Sequence, residues 1–311
     1  MARREMTKKE KLLAAMHDIR NEYGDGSIYT LGSKREKLEI PRWSTGIEDL
    51  DNIIGGGMPA GRIIEIFGPE SAGKTTLLYH LMAQCEYAVD IPIEGTFDAK
   101  RAKIMGNRRG QLIVCREDYG EQAMATAKRF ADSGAVQCLG IDSVPSLITK
   151  REFEEENTEK EGQRGRIAAM LSRNLPKLVH TCEKNGMTLV FINQIRDEMG
   201  GMLFGPTTHT PGGRALKHYC SLRLQVNRVE WIKIPNYSAS NSSKDEIIGF
   251  IMNVKVVKSK VCNPLGECRI PCFFDRGFVS YDDFKDIRRA TMKAHRLAAK
   301  GTMHEESEKE G

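Results

Sequence analysis

The chain has 311 residues, 40% of them hydrophobic and 29% charged, with 47 basic residues against 42 acidic ones for a formal net charge of +5. That balance excludes a small disulfide scaffold, a disordered chain and a membrane-spanning protein. The longest apolar runs, such as Ile63-Ile64-Glu65-Ile66-Phe67, fall far short of the roughly 20 residues a spanning helix needs. The mixed charges of residues 1–10 do not read as a secretory leader, so a cytoplasmic protein is expected.

Residues 7–23 are predicted to form an amphipathic helix, opened by a capping box between Thr7 and Glu10 and carrying Leu12, Met16, Ile19 and Tyr23 at helical spacing. The apolar stripe either packs on its own core or docks on another subunit. From about residue 40 to 278, β-rich runs alternate with helical ones, the pattern of stacked βα units around a mostly parallel sheet. Strands are expected at 62–67, 87–93, 111–115, 136–141, 188–192, 221–226 and 248–257, and helices at 75–86, 120–133 and 164–185.

Two stretches resist either label. Residues 149–165 are dense in charge, and 196–213 are rich in Gly, Thr, Pro and Met; long irregular stretches inside a compact domain are usually functional or disordered. One more helix is expected at 283–300, followed by an acidic tail. Five of the eight cysteines stand singly in apolar contexts, and the spacing of Cys262, Cys268 and Cys272 fits no common zinc pattern, so reduced structural thiols are expected.

Gly68-Pro69-Glu70-Ser71-Ala72-Gly73-Lys74-Thr75 matches the phosphate-binding loop in full, after one predicted strand and before one predicted helix. The glycines let backbone amides turn inward around phosphate oxygens, the lysine reaches the terminal phosphates, and the threonine hydroxyl ligates Mg²⁺. A nucleotide site follows. Such sites need an acidic residue for the metal at the end of another core strand, and Asp142 after Cys138-Leu139-Gly140-Ile141 is the candidate, although a strand-end Asp also serves as a cap. Glu94, closing the strand after the phosphate-loop helix, is the candidate for orienting the attacking water; the alternative is a solvated surface glutamate. Lys258 and Lys260 lie two apart on one face of a strand, where they also suit the guarding of an exposed sheet edge.

Three further segments, Phe191-Ile192-Asn193-Gln194-Ile195-Arg196, Pro211-Gly212-Gly213-Arg214-Ala215-Leu216-Lys217 and Val254-Lys255-Val256-Val257-Lys258-Ser259-Lys260, join the phosphate loop and its Thr76 in a pattern that closely resembles the bacterial RecA recombinases from about Thr7 to Gly277. The resemblance implies an α/β RecA-like ATPase core, with a central mostly parallel twisted sheet flanked by helices, at 41–280. An N-terminal oligomerisation arm over 1–40 and a short C-terminal remnant with an acidic tail at 281–311 complete it. It implies ATP and Mg²⁺ as cofactors, and as partners single-stranded DNA, double-stranded DNA, further copies in a helical filament, and mediator or loader proteins, with no membrane.

The implied activity is DNA-dependent ATP hydrolysis with homologous pairing and strand exchange. A ring helicase or translocase, or a DNA-binding filament scaffold, are the alternatives. The resemblance gives Glu94 the water-activating role, Gln194 the sensing of the terminal phosphate, and Lys258 and Lys260 a contribution to a neighbour's nucleotide site. It puts Asp98 and Arg101 beside the base, Arg101 where relatives commonly carry an aromatic, and His218 at an interface position usually aromatic. Residues 149–165 and 196–213 become DNA-binding loops, with Arg164, Arg166, Arg196, Met202, Phe204, Gly212 and Gly213 as contacts.

Overall fold

The computed structural model describes residues 6–24, 27–28, 30, 39–95, 97–155, 163–197, 208–235 and 245–309, and the chain divides into two units, Met1–Ile40 and Pro41–Gly311. The first unit contains α1 (Lys8–Tyr23), whose capping box forms as expected: the Thr7 hydroxyl accepts the Glu10 N–H, and the Glu10 carboxylate accepts the Thr7 N–H at 2.8 Å. No residue of α1 is buried, and Leu12, Ile19 and Tyr23 are exposed.

The second unit runs through β1 (Arg42–Trp43), α2 (Glu48–Ile53), β2 (Met58–Pro59), β3 (Ile63–Gly68), α3 (Lys74–Ala83), β4 (Ala88–Pro92), α4 (Ala99–Ile104), β5 (Leu112–Val114), α5 (Gly120–Ser133) and β6 (Cys138–Asp142). It continues with α6 (Lys150–Glu154), α7 (Gln163–Asn185), β7 (Thr188–Gln194), the two-residue strands β8 (Arg196–Asp197) and β9 (Thr208–His209), α8 (Gly213–Tyr219), β10 (Leu222–Ile234), β11 (Glu246–Ser259), β12 (Glu267–Phe273), β13 (Gly277–Phe278) and α9 (Tyr281–Lys309). Among the described residues the main sheet is nine-stranded in the order β13-β12-β11-β10-β3-β7-β6-β4-β5. The pairs from β10 to β5 are parallel, and those from β13 to β10 are antiparallel.

The centre of this sheet is buried on both faces, which is why β3, β4, β6 and β7 read as near-continuous apolar runs rather than alternating ones. One face packs on α3 through Leu77, Leu78, Leu81 and Met82; the other packs on α5, α7 and α8 through Ala127, Leu171, Leu175 and Leu216. At roughly 1.5–3 kcal/mol per fully buried large apolar side chain, these two layers supply the bulk of the stabilisation. The close fit of α3 depends on Gly140 in β6, where an added Cβ would lie 2.7 Å from Leu78 Cδ2 and from Met82 Cε.

The expected α/β core is present, and the structure adds elements the periodicity did not reveal: α2, α4, α8 and the antiparallel strand β12. The C-terminal helix begins two residues earlier and runs nine residues further than expected, with Phe284 and Ile287 packed against Ile232, Ile251 and Phe273. No helix among the described residues is long and apolar enough to cross a membrane. Phe191 in β7 is fully buried between these layers, so Phe191→Ala is expected to lower unfolding free energy by about 3–5 kcal/mol in urea titration. A loss below about 1 kcal/mol contradicts this packing.

Candidate nucleotide site

The parallel strands β3, β4, β6 and β7 end together, and the site forms outside their carboxyl ends, where open α/β sheets place ligands. β3 runs into Gly68-Pro69-Glu70-Ser71-Ala72-Gly73, and α3 starts at Lys74 with Gly73 in the left-handed region at φ 90°. That conformation needs glycine here for a second reason: a Cβ at Gly73 would lie 2.7 Å from Met252 Cε and 2.8 Å from Phe250 Cζ. The loop and the N-terminus of α3 thus present backbone N–H groups and a helix dipole to one place.

That place is a cavity of about 410 Å³ lined by Glu70, Ser71, Gly73, Lys74, Thr75, Thr76, Glu94, Asp142, Ser143, Ile192 and Gln194. Five residues singled out from the sequence therefore converge from four elements: Lys74 and Thr75 from α3, Glu94 from the turn after β4, Asp142 from the end of β6, and Gln194 from the end of β7. Thr75 Oγ1 donates to Asp142 Oδ2 at 2.5 Å. The Lys74 ammonium donates to the carbonyls of Pro69 at 2.6 Å and Gly68 at 3.2 Å.

Glu94 is held in place by groups the sequence reading did not name. Ser143 Oγ donates to Glu94 Oε1 at 2.5 Å, and Ser146 Oγ reaches the same oxygen at 3.3 Å, so a carboxylate readable as solvated is oriented toward the cavity. Beneath the site, the fully buried Glu65 pairs with Arg223 and accepts from Asn193 Nδ2 at 2.7 Å; Asn193 also donates to the Pro211 carbonyl at 2.8 Å. The signal for this cluster was Glu65 itself, the one charge in an apolar strand.

Burial sets the electrostatics. It pushes the Asp142 carboxyl up to about 6, with Glu94 adding to the rise and Thr75 and Lys74 opposing it. It lowers Lys74, against the attraction of Asp142, Glu94 and Glu70. One strand away, Asp90 is wholly buried, neither of its carboxylate oxygens meets a donor at hydrogen-bond distance among the described residues, and its carboxyl is pushed up to about 7 by desolvation and then by Asp142, with the nearby Tyr79 hydroxyl opposing the rise.

The donors suit a hard cation. Thr75 and Asp142 offer oxygen ligands side by side, a donor set that fits a divalent cation completing its shell with substrate phosphates. The residues expected beside the base stand apart from the cavity lining. Asp98 caps α4 by accepting the Arg101 N–H at 2.8 Å, and the Arg101 guanidinium lies 5.7 Å from the Phe274 ring centre.

β11 is flanked by β10 and β12, but its ladder with β12 ends at Lys255 opposite Glu267, so Lys258 pairs with Arg223 of β10 alone and the edge-guarding alternative stands beside the other. Within this chain Lys258 donates to the carbonyls of Lys217 and His218, and Lys260 to that of His218 at 2.9 Å, so both ammoniums cap the C-terminus of α8. His218 is exposed and meets Tyr219 edge-on at 5.2 Å.

Of the expected DNA contacts, Met202 and Phe204 lie outside the described residues, as do the side chains of Arg164 and Arg196. Arg166 pairs with Glu155 at 3.2 Å. The glutamates of 149–155 find local employment: Glu152 closes a second capping box with Thr149, and Glu155 also binds Arg151, which holds its carboxyl below the usual range. Gly212 and Gly213 open α8 at φ 95° and 71°, and a Cβ at Gly213 would lie 2.8 Å from that of Ala168.

A phosphate loop between a parallel strand and a helix, with an acidic residue at the end of a neighbouring strand, defines a P-loop nucleotide-binding protein. The RecA N-terminal domain family matches residues 10–279. Protein RecA of Ruminococcus albus is 38% identical over 275 residues, covering 87% of this chain and 66% of its own; DNA repair protein recA homolog 1, chloroplastic, of Arabidopsis thaliana is 39% identical, covering 88% and 60%. Protein RecA of Syntrophus aciditrophicus is 38% identical, covering 88% of this chain and 78% of its own. The chain belongs to the RecA family, and the match spans about two thirds or less of the first two relatives' length.

Asp90 and Asp142 bind protons more tightly folded than unfolded, so their contribution is present near pH 4 and is lost as pH rises through about 6 to 7. Urea midpoints for the ligand-free chain should fall between pH 5 and pH 8. Asp90→Asn should be more stable than wild type at pH 8 by on the order of 1 kcal/mol or more, with the gap closing at pH 5. An unchanged gap at the two pH values contradicts this.

Proposed function

We propose that the chain is a DNA-dependent ATPase that polymerises on single-stranded DNA and catalyses homologous pairing and strand exchange with double-stranded DNA. The observation that carries this reading is the path out of the nucleotide cavity. β7 delivers Gln194 to the cavity, the chain then enters residues 196–213, and Asn193 fixes the return of that segment through the Pro211 carbonyl. An amide placed at the terminal phosphate is thus continuous with the segment assigned to DNA, which gives nucleotide state a direct route to DNA binding.

On this reading Lys74 and the loop amides bind the phosphates, and Thr75 with Asp142 hold Mg²⁺, which supplies charge neutralisation at the transferring phosphoryl group. Glu94, oriented by Ser143 and Ser146, positions the attacking water and takes its proton. Lys258 and Lys260 act on the site of the neighbouring copy in a helical filament, adding positive charge to the transition state. The exposed stripe of α1 provides an assembly contact, mediator or loader proteins deliver the chain to DNA, and the setting is the cytoplasm.

Single-stranded DNA is expected to stimulate ATP hydrolysis strongly, and Lys74→Ala to lower the stimulated rate by roughly 100-fold or more. Equal turnover with and without DNA overturns the reading. Lys258→Ala is expected to abolish hydrolysis while leaving nucleotide binding by single protomers intact. Mixing Lys258→Ala with Glu94→Gln protomers should restore activity, because an interface joining Glu94 of one to Lys258 of the other is complete. No gain on mixing contradicts action in trans.

A further inference from the structure

The phosphate loop leans on the β10–β11 hairpin at three points. A Cβ on Gly68 would collide with the Val226 carbonyl, one on Gly73 would collide with Met252 and Phe250, and between them Arg228 Nη1 donates to the Ser71 carbonyl at 3.0 Å. Ser71 is one of two non-glycine residues with positive φ among the described residues, at 55°. Such a conformation costs about what one charge-assisted hydrogen bond returns. Because the carbonyl and the following N–H of a trans peptide point in opposite directions, fixing the Ser71 carbonyl on Arg228 also fixes the Ala72 N–H away from it.

Arg228 is itself aimed by a defect in its strand. In a regular strand residues 228 and 231 face opposite ways, but the register with β11 slips between Arg228 and Glu230, and the extra residue brings both onto one side. The Arg228 guanidinium then lies 3.8 Å from the centre of the Trp231 ring, and Trp231 is braced edge-on by Phe274 at 6.4 Å. A flexible cation is thereby pre-organised over an aromatic face while its Nη1 donates to the loop.

We propose that Arg228 is a positioning residue for the phosphate loop, holding Ser71 in its left-handed conformation so that nucleotide affinity depends on the β10–β11 hairpin. This deepens the reading of the cavity as a nucleotide site and rests on it. The test uses the full chain and two readouts: hydrogen exchange of residues 68–73 without nucleotide, and the affinity for a fluorescent ADP analogue with Mg²⁺. Arg228→Ala is expected to speed exchange in the loop alone and to weaken binding roughly five-fold.

Arg228→Lys, which keeps a cationic donor, should lose less. Trp231→Leu, which frees the guanidinium, should weaken binding in the same direction by roughly two-fold, and it decides the matter if Arg228→Ala does not fold. Wild-type loop exchange and affinity in Arg228→Ala overturn the proposal. So does a loss of protection spread evenly over the sheet, which marks a merely structural role. Failure of wild type to bind the analogue overturns the nucleotide reading instead, while the exchange measurement still judges Arg228.

Discussion

The phosphate loop can cradle an anion only by lying directly against the strands beside it. A loop that turns its amides inward has no room for side chains on its outer surface, so Gly68 and Gly73 meet the Val226 carbonyl and the Met252 and Phe250 side chains directly. The helix that follows is bound by the same demand. Its Leu78 and Met82 sit where a side chain at Gly140 would be, which keeps the N-terminus of α3 level with the ends of β4, β6 and β7. Glu94, Asp142 and Gln194 can share one cavity because the helix does not stand off from the sheet.

Below the cavity the fold buries polar groups that add little to stability. A buried ion pair such as Glu65 and Arg223 roughly breaks even against apolar replacements, since desolvation offsets the attraction. Its value is positional. Glu65 lies on β3, Asn193 on β7 and Arg223 on β10, three adjacent strands, and through Asn193 the cluster holds Pro211, where residues 196–213 rejoin the core. Gln194 follows Asn193 directly, so the base of that segment and the cavity share a strand end that cannot shift in one without shifting in the other.

The sequence made legible whatever local chemistry dictates. The phosphate loop is written in eight consecutive residues because each backbone turn and each ligand has its own requirement, and the capping box of α1 is legible for the same reason. The long apolar strands and α5 were readable from periodicity. Helices α2, α4 and α8 were not, being six or seven residues long with too few turns to show a period, and β12 was hidden by Pro271, which the ladder accepts beside the short outer strand β13. The partners of Glu94 and the contact from Arg228 to Ser71 join residues far apart in the chain, and no spacing rule reports them.

The residues lining the cavity include three carboxylates, Glu70, Glu94 and Asp142, against one lysine. An anionic substrate therefore enters a site that repels it except at the loop amides and Lys74, and a divalent cation on Thr75 and Asp142 offsets only part of the sum. Among the described residues, three cations outside the cavity are committed elsewhere: Arg228 to the Ser71 carbonyl, and Lys258 and Lys260 to the end of α8. A protomer built this way holds a nucleotide more readily than it stabilises the charge that develops as the phosphoryl group leaves. On the proposed reading, positive charge brought by a neighbouring copy supplies what is missing, and the deficit itself would make hydrolysis contingent on assembly. The modest +5 of the whole chain fits the same proposal, since a filament would add many weak contacts along one strand of DNA and no single copy would have to be strongly basic.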